Sequence, residues 1–232
     1  ELWTENCRGN RVTVAEAYNE EEEARLVLEE TARLRQKEGI GQNEIAVMYR
    51  VNAQSRAFEV ACNREGVPYR LVGGVKFYDR KEVKDILAYV RCVVNPRDDI
   101  SVERIINVPA RSIGKTTIQA VKVFSIRQGI PLLDAVRRAA EIPSVKPRAQ
   151  KALEGFLDLY DKFVALPPSP AAEVFRKIID ETNYEVALGK STDNADDRIA
   201  NVRELISAAE IYDEGHPDGD VRGFLEQSAL VS

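Results

Sequence analysis

The sequence predicts an α/β fold with an incomplete parallel sheet over residues 1–73, followed by a mainly α-helical domain over residues 74–232. Two observations support this division. In the first third of the chain, short apolar segments with strand character alternate with helical segments, which implies strands that run parallel in one sheet. After the glycine pair Gly73-Gly74, only helical hydrophobic periods follow.

Three short segments are the predicted strands of the sheet: residues 12–15, 45–49 and 68–72. The middle segment, Ile45-Ala46-Val47-Met48-Tyr49, is a continuous apolar run, which is typical of a strand buried on both faces. A helix is predicted in each interval between them. The first begins after Asn19, a residue suited to the N-cap position, and ends at Gly39, while the second ends at Gly66.

The helical domain is predicted to begin with a capping box, Asp79-Arg80-Lys81-Glu82, in which Asp79 is the N-cap. The helix that follows carries an apolar stripe that includes Val83, Ile86 and Val90. Hydrophobic periodicity predicts seven further helices, at about residues 101–107, 115–127, 132–140, 148–166, 171–181, 196–212 and 221–230.

Composition excludes several classes of protein. With 44% hydrophobic and 31% charged residues, the chain is able to form a core and is not intrinsically disordered. No apolar run reaches the roughly 18 residues of a membrane helix. Cys7, Cys62, Cys92 and the lone His216 do not have the spacing of a zinc site, and no catalytic constellation is evident. We therefore predict reduced thiols in a cytoplasmic protein, with no catalytic or metal-binding residue.

The net charge of −5 hides a segregated distribution of charge. Between residues 104 and 127 there is no Asp or Glu, whereas acidic residues concentrate near both ends of the chain. The basic residues of this acid-free segment are Arg104, Arg111, Lys115, Lys122 and Arg127. This pattern is compatible with a basic patch that binds nucleic acid on an otherwise acidic protein.

Within the acid-free segment, Gly114-Lys115-Thr116 resembles the end of a P-loop, but Pro109 stands where that pattern requires glycine. A helix-hairpin-helix fits better, because N–H groups at the start of a helix bind DNA phosphates. The predicted duplex contacts are Arg111, Ser112, Gly114, Lys115 and Thr116. The alternative is an ordinary helix corner with solvated cations, and the residues alone do not decide between the two.

Arg50, Asn52 and Arg56 follow the strongest predicted strand, where it gives way to a helix. Ligands of open α/β sheets bind at the carboxyl ends of the strands, and the start of a helix favours phosphate. These three residues are therefore candidates for contact with a DNA backbone, although the pattern alone favours a second interpretation. The alternative is a polar turn in which Asn52 only caps the helix.

Five segments, taken together, resemble the UvrD/PcrA/Rep-type DNA helicases of superfamily 1: residues 2–6, 46–56, 67–91, 95–99 and 104–109. The resemblance runs through most of the chain and is strongest in the second and third of these segments. It implies an internal fragment in which residues 1–73 form the first part of the second RecA-like motor domain. Residues 74–232 would form the helical domain inserted into it, usually called 2B.

The resemblance also implies a function for the whole protein, which is ATP-dependent 3′-to-5′ unwinding of DNA in repair or replication. ATP and Mg²⁺ would be its cofactors, although the segments that hold them do not match this chain. Arg50 and Asn52 would lie on the single-stranded backbone. The hairpin would hold the duplex, with Ser112-Ile113-Gly114 where the family usually has Gly-Ile-Gly.

The expected partners are DNA at a single-strand/duplex junction, the remaining motor domains, and repair or replication proteins, with no membrane. An alternative from another class is a protein-interaction or autoregulatory module of the helicase. Burial of the acid-free segment against other helices would favour that alternative.

Overall fold

The computed structural model describes residues 5, 9–168, 170–190 and 194–231, and this part of the chain is built from α-helices. The helices are α1 (Glu20–Glu38), α2 (Ser55–Glu65), α3 (Lys81–Val94), α4 (Asp99–Ile105), α5 (Lys115–Gln128), α6 (Leu132–Arg137), α7 (Pro147–Val164), α8 (Ala171–Thr182), α9 (Tyr184–Gly189), α10 (Ala195–Gly215) and α11 (Val221–Val231). Short 3₁₀ turns lie at Gln42–Glu44, Asn52–Gln54, Phe77–Asp79 and Ala139–Glu141.

The predicted parallel sheet is wrong, because no strand forms anywhere in the described residues. The segment 45–49 follows a residue pattern typical of a buried strand, yet Met48 is 92% exposed and Val47 is 43% exposed. Val12 and Val72, in the other two segments, are also exposed. A strand exists only when a neighbouring strand accepts and donates its backbone hydrogen bonds, and these segments do not pair with one another.

The two helices predicted in the first third of the chain are confirmed, and local capping explains their bounds. The Asn19 side chain accepts a hydrogen bond from the backbone N–H of Glu22 at 2.9 Å, which satisfies one free donor at the start of α1. Gly39 and Gly66 end α1 and α2 in the left-handed conformation, with φ of 69° and 66°.

The predicted capping box at the start of α3 is wrong. The N-cap of α3 is Arg80, whose side chain makes no capping hydrogen bond. Asp79 belongs to the preceding 3₁₀ turn, and its carboxylate forms a salt bridge with Lys84 at 2.7 Å. The remaining helical predictions are confirmed to within a few residues, and α9 is an additional helix that periodicity did not reveal.

The main hydrophobic core lies within residues 77–224, and α3 runs through it. Val83, Ile86 and Val90 of its predicted apolar stripe have no solvent-accessible surface. The flanking helices α4, α7, α8, α10 and α11 all pack against α3. The domain boundary near residue 73 stays a prediction, although this core begins just after it.

Buried cysteines and aromatic residues contribute to this packing. Cys62 and Cys92 are free thiols with buried side chains, and burial raises the pKa of Cys92 to about 12. Phe77 and Tyr78 pack edge to face with their ring centroids 5.1 Å apart, and both are buried. No helix in the described part of the chain combines the length and apolarity needed to cross a bilayer.

We expect Phe175→Ala to lower the free energy of unfolding by about 3–5 kcal/mol, because Phe175 is fully buried and packs edge to face on Phe224. Val186→Ala on the surface of α9 is the control, since Val186 is 57% exposed and should change stability by less than about 0.5 kcal/mol. Urea unfolding followed by circular dichroism measures both variants. Equal stability of the two would contradict this packing.

Candidate nucleic-acid interface

The segment predicted as a hairpin connects α4 to α5 through residues 106–114. The Asn107 side chain folds it, because its Oδ1 accepts hydrogen bonds from the backbone N–H groups of Arg111 at 2.7 Å and Ile113 at 3.1 Å. The Ile113 side chain is buried in the main core. The loop is therefore anchored from both sides and holds the start of α5 in a fixed place.

Arg111 stabilises the hairpin from within. Its guanidinium donates to the carbonyl oxygens of Ile105 at 3.0 Å and Pro109 at 3.1 Å, and to the hydroxyl of Tyr89 at 2.5 Å. The same Tyr89 hydroxyl donates to the carbonyl of Val108, and burial raises its pKa to about 12. Arg111 is half-buried, so the structure gives it a structural role beside its predicted contact with DNA.

The other predicted duplex contacts lie together on the surface. Ser112, Gly114, Lys115 and Thr116 are all exposed. Gly114 is the N-cap of α5, without a side chain to cap the helix, and the first turn of α5 contains no acidic residue. The first backbone N–H groups of α5 therefore face solvent with the positive end of the helix dipole, an arrangement that favours an anion.

Ser112 adopts the left-handed backbone conformation, with φ of 62°. Glycine reaches this region at little cost, whereas other L-residues are disfavoured there by the contact between Cβ and the backbone. Serine thus keeps the backbone shape that glycine favours at this position.

Intramolecular contacts occupy much of the acid-free basic segment. Arg104 binds the Asp85 carboxylate at 2.8 Å, and Lys122 binds Glu103 at 2.7 Å. Lys115 and Arg127, at opposite ends of α5, form no salt bridge with a described residue, and both are exposed. The cations of the segment without a salt bridge to a described residue are therefore these two and Arg111, whose partners are uncharged.

The three residues predicted to hold a single strand are in different surroundings. Arg50 is exposed, and its backbone N–H donates to the Gln54 side chain at 3.0 Å. Asn52 is exposed at the start of a 3₁₀ turn, and its Nδ2 donates to Asp197 Oδ2 at 3.1 Å. Arg56 is buried and forms a salt bridge with Glu204 at 2.5 Å. Only Arg50 and Asn52 are at the surface.

A polar face of α10 meets these residues, and the sequence analysis did not identify it. Asp197, Asn201 and Glu204 recur at spacings of four and three, which places them on one side of the helix. That spacing is the signal that could have identified them. Burial raises the pKa of Glu204, and the most buried of the three residues is Asn201, which is 4% exposed.

Arg80 and Asn201 form the centre of this polar contact. The Arg80 guanidinium donates to Asn201 Oδ1 at 2.6 Å and to Ser55 Oγ at 2.7 Å, and burial lowers its pKa. Asn201 Nδ2 in turn donates to Glu82 at 2.6 Å. These bonds join the start of α2, the start of α3 and the middle of α10.

In the part of the chain that the structure describes, no group of three His, Cys, Asp or Glu side chains is placed to hold a metal ion. The residues predicted to contact DNA offer cations, an amide, hydroxyls and the backbone N–H groups at the start of α5. Such groups bind an anionic polymer through its backbone and do not by themselves select a base sequence.

Comparison with known proteins identifies the family. A model of the UvrD-like helicase C-terminal domain matches residues 1–232. The chain belongs to this family of UvrD-like helicase C-terminal domains. The resemblance to UvrD- and PcrA-type helicases seen in the sequence is thereby confirmed.

Similar proteins are named as ATP-dependent DNA helicases. UvrD1 of Mycobacterium tuberculosis is 37% identical over 248 residues, covering 100% of this chain and 32% of that protein. PcrA of Bacillus subtilis is 34% identical over 233 residues, covering 100% of this chain and 31% of that protein. PcrA of Staphylococcus aureus has the same identity and coverage. The UvrD-like chain thus spans about a third of the length of these curated relatives.

We expect Ser112→Gly to raise the free energy of unfolding by about 0.5–1 kcal/mol, because glycine removes the strain of the left-handed backbone. Ser112→Val should lower it by about 1–2 kcal/mol, because a branched Cβ is least compatible with this conformation. The urea midpoints of the two variants measure this difference. A Ser112→Gly variant that is less stable than the wild type would show that Ser112 is not strained.

Proposed function

We propose that this UvrD-like chain supplies DNA contacts to an ATP-dependent 3′-to-5′ DNA helicase that acts in repair or replication. The family match and the names of the similar proteins support this proposal. DNA and the remaining motor domains are the proposed partners, together with repair or replication proteins. The buried free thiols Cys62 and Cys92 support a reducing, cytoplasmic location.

The observation that carries the proposal is the exposed N-terminus of α5 at the end of an anchored hairpin. Gly114 allows close approach, since an added Cβ would meet open space and no atom of the protein blocks the position. Backbone N–H groups of the first turn would donate to a phosphate, Lys115 would add a charge, and the hydroxyls of Ser112 and Thr116 would add donors. This supports a helix-hairpin-helix that contacts the duplex backbone.

Arg111 would contribute to this contact mainly through the shape of the hairpin. Its guanidinium nitrogens bond to Tyr89 and to two carbonyl oxygens, so a phosphate would have to compete with those partners. Because Arg111 donates to carbonyl oxygens on the inner side of the loop, the outer side is left to the backbone N–H groups. Its proposed role is therefore to support the phosphate site and to add charge at short range.

The proposed single-strand contact consists of Arg50 and Asn52. Arg50 is an exposed cation that forms no salt bridge with a described residue, and Asn52 follows it on the adjoining 3₁₀ turn. A guanidinium and an amide together provide several donors for the oxygens of one phosphate. Arg56 would support this contact indirectly, because its salt bridge with Glu204 fixes the first turn of α2 to α10.

The interaction-module alternative depends on burial of the acid-free segment. In α5 only Val121 and Ser125 are buried, and the first turn is open to solvent. This exposure favours the proposal of a DNA contact. The salt bridges of Arg104 and Lys122 reduce the free charge of the segment, which fits a weak contact with a few phosphates.

ATP and Mg²⁺ are proposed as cofactors of the whole helicase, and the chain by itself is proposed to hydrolyse no ATP. Pro109 stands at the glycine position of a P-loop and lacks the N–H that would bind a phosphate there. We expect a coupled assay with purified chain and single-stranded DNA to show no ATP turnover. Turnover that follows the pure protein through successive columns and is lost on Lys115→Ala would contradict this.

We expect Lys115→Glu to weaken binding to a labelled duplex with a 3′ single-stranded tail by about tenfold at low salt, because it reverses a charge at the phosphate site. For the wild type, the logarithm of the binding constant should fall against the logarithm of salt concentration with a slope of about −2 to −4. Fluorescence anisotropy at several salt concentrations measures both quantities.

Arg127→Glu is the matched control for this experiment. It makes the same charge change on an exposed side chain of the same helix that forms no salt bridge with a described residue, about 18 Å along the helix axis from Lys115. We expect it to weaken binding by less than about threefold when the two variants are compared at physiological salt, where about 18 Å exceeds the Debye length of about 8 Å. Equal losses in the two variants would indicate a diffuse electrostatic effect and refute a phosphate site at the hairpin.

A further inference from the structure

An acidic residue of α10 accepts a hydrogen bond from Asn52, one of the two side chains proposed to hold the single strand. Asp197 lies in the first turn of α10, and its Oδ2 accepts the hydrogen bond from Asn52 Nδ2 at 3.1 Å. The two residues are 145 positions apart in the chain, so the fold alone brings them together. Its proposed effect on DNA binding rests on the contact of Arg50 and Asn52 with a single strand that is proposed above.

The buried Arg80 guanidinium attracts the Asp197 carboxylate without forming a salt bridge with it. The adjacent Arg198 turns to Glu82, with 3.3 Å between its Nε and the carboxylate. Asp197 forms no salt bridge with a described residue, and the exposed Asp196 beside it adds a second negative charge. A carboxylate whose charge is only partly offset by Arg80 therefore lies within hydrogen-bonding distance of the Asn52 amide.

A DNA phosphate that bonds to Asn52 would lie about 5 Å from this carboxylate and would be repelled by it. We propose that Asp197 competes with DNA for Asn52 and so lowers the affinity of this surface for a single strand. The competition works in both directions, because a strand that takes the Asn52 amide removes a partner from the first turn of α10.

The effect is confined to the outer end of the α10 polar face. Asn201 and Glu204, further along the face, hold Arg80 and Arg56, and those contacts are buried. Asn52 is exposed and Asp197 is half-buried, so their hydrogen bond is the one that a strand is able to reach. Binding of a strand would loosen the start of α10 and leave its centre fixed.

Asp197→Asn separates the charge from the hydrogen bond, since the Oδ1 of asparagine still accepts from Asn52. We expect it to tighten binding of a labelled single-stranded oligothymidylate by about three- to tenfold at low salt, the size of effect for one unit charge about 5 Å from a phosphate near water. High salt should reduce the gain, because it screens the repulsion. Fluorescence anisotropy titrations measure the change.

Asp218→Asn is the matched control, because it removes one charge from an exposed residue beyond the other end of α10, about 30 Å away. It should change the affinity by less than about 1.5-fold when the two variants are compared at physiological salt, because it then lies several Debye lengths of about 8 Å from Asn52. Asp197→Asn should also raise the affinity for the oligonucleotide by a smaller factor when it is combined with Asn52→Ala, because the amide for which Asp197 and DNA compete is then absent.

Two further variants separate this proposal from the proposed single-strand contact. If Arg50→Ala and Asn52→Ala weaken binding while Asp197→Asn does not tighten it, the role of Asp197 is refuted and the contact stands. If Arg50→Ala and Asn52→Ala leave binding unchanged, the contact is refuted, and the role of Asp197 is refuted with it.

A second measurement tests the same proposal without a substitution. Amide hydrogen exchange of residues 195–200 in the wild-type chain should become faster when saturating oligothymidylate is added, because the Asn52–Asp197 bond is then broken. Exchange in residues 201–212 should stay the same. Unchanged or slower exchange at 195–200, with binding confirmed by anisotropy in the same sample, would overturn the competition.

Discussion

The two hydrogen bonds that the Arg80 guanidinium donates, to Ser55 and to Asn201, connect the beginning of α2 with the middle of α10. A buried cation costs free energy unless its donors are satisfied, so this arrangement tolerates little movement of either helix. Asn52 and Arg56 lie on either side of Ser55 in the sequence and bond to the same face of α10. The geometry of the proposed single-strand contact therefore depends on one buried arginine.

The hairpin between α4 and α5 is also held in shape by an arginine that is partly removed from solvent. Arg111 bonds to carbonyl oxygens and to the hydroxyl of a buried tyrosine, and Asn107 bonds to the backbone of the loop. In both regions the buried or half-buried cation determines shape, and a different, exposed cation is left for an external anion. Arg56 and Arg111 are of the first kind, whereas Arg50 and Lys115 are of the second. The more exposed cation in each region is thus the one placed to meet an anion directly.

Prediction from the sequence succeeded where a local rule is sufficient. Side-chain capping at Asn19 and left-handed glycines at Gly39 and Gly66 depend on only a few neighbouring residues, and the structure confirms them. It failed at 45–49, because an apolar run predicts burial but cannot specify the partner strand that a sheet requires. It also placed Asp79 at a helix cap, where the chain instead forms a 3₁₀ turn.

The sequence by itself determined the family, the succession of helices after residue 73 and the residue types proposed to meet DNA, because motifs and periodicity are properties of neighbouring residues. The tertiary structure decided which of those residues are accessible. It buried Arg56, turned Arg111 inward and placed Asp197 on Asn52. Such pairings join residues up to 148 positions apart, and their geometry depends on how the helices pack, which no local pattern encodes.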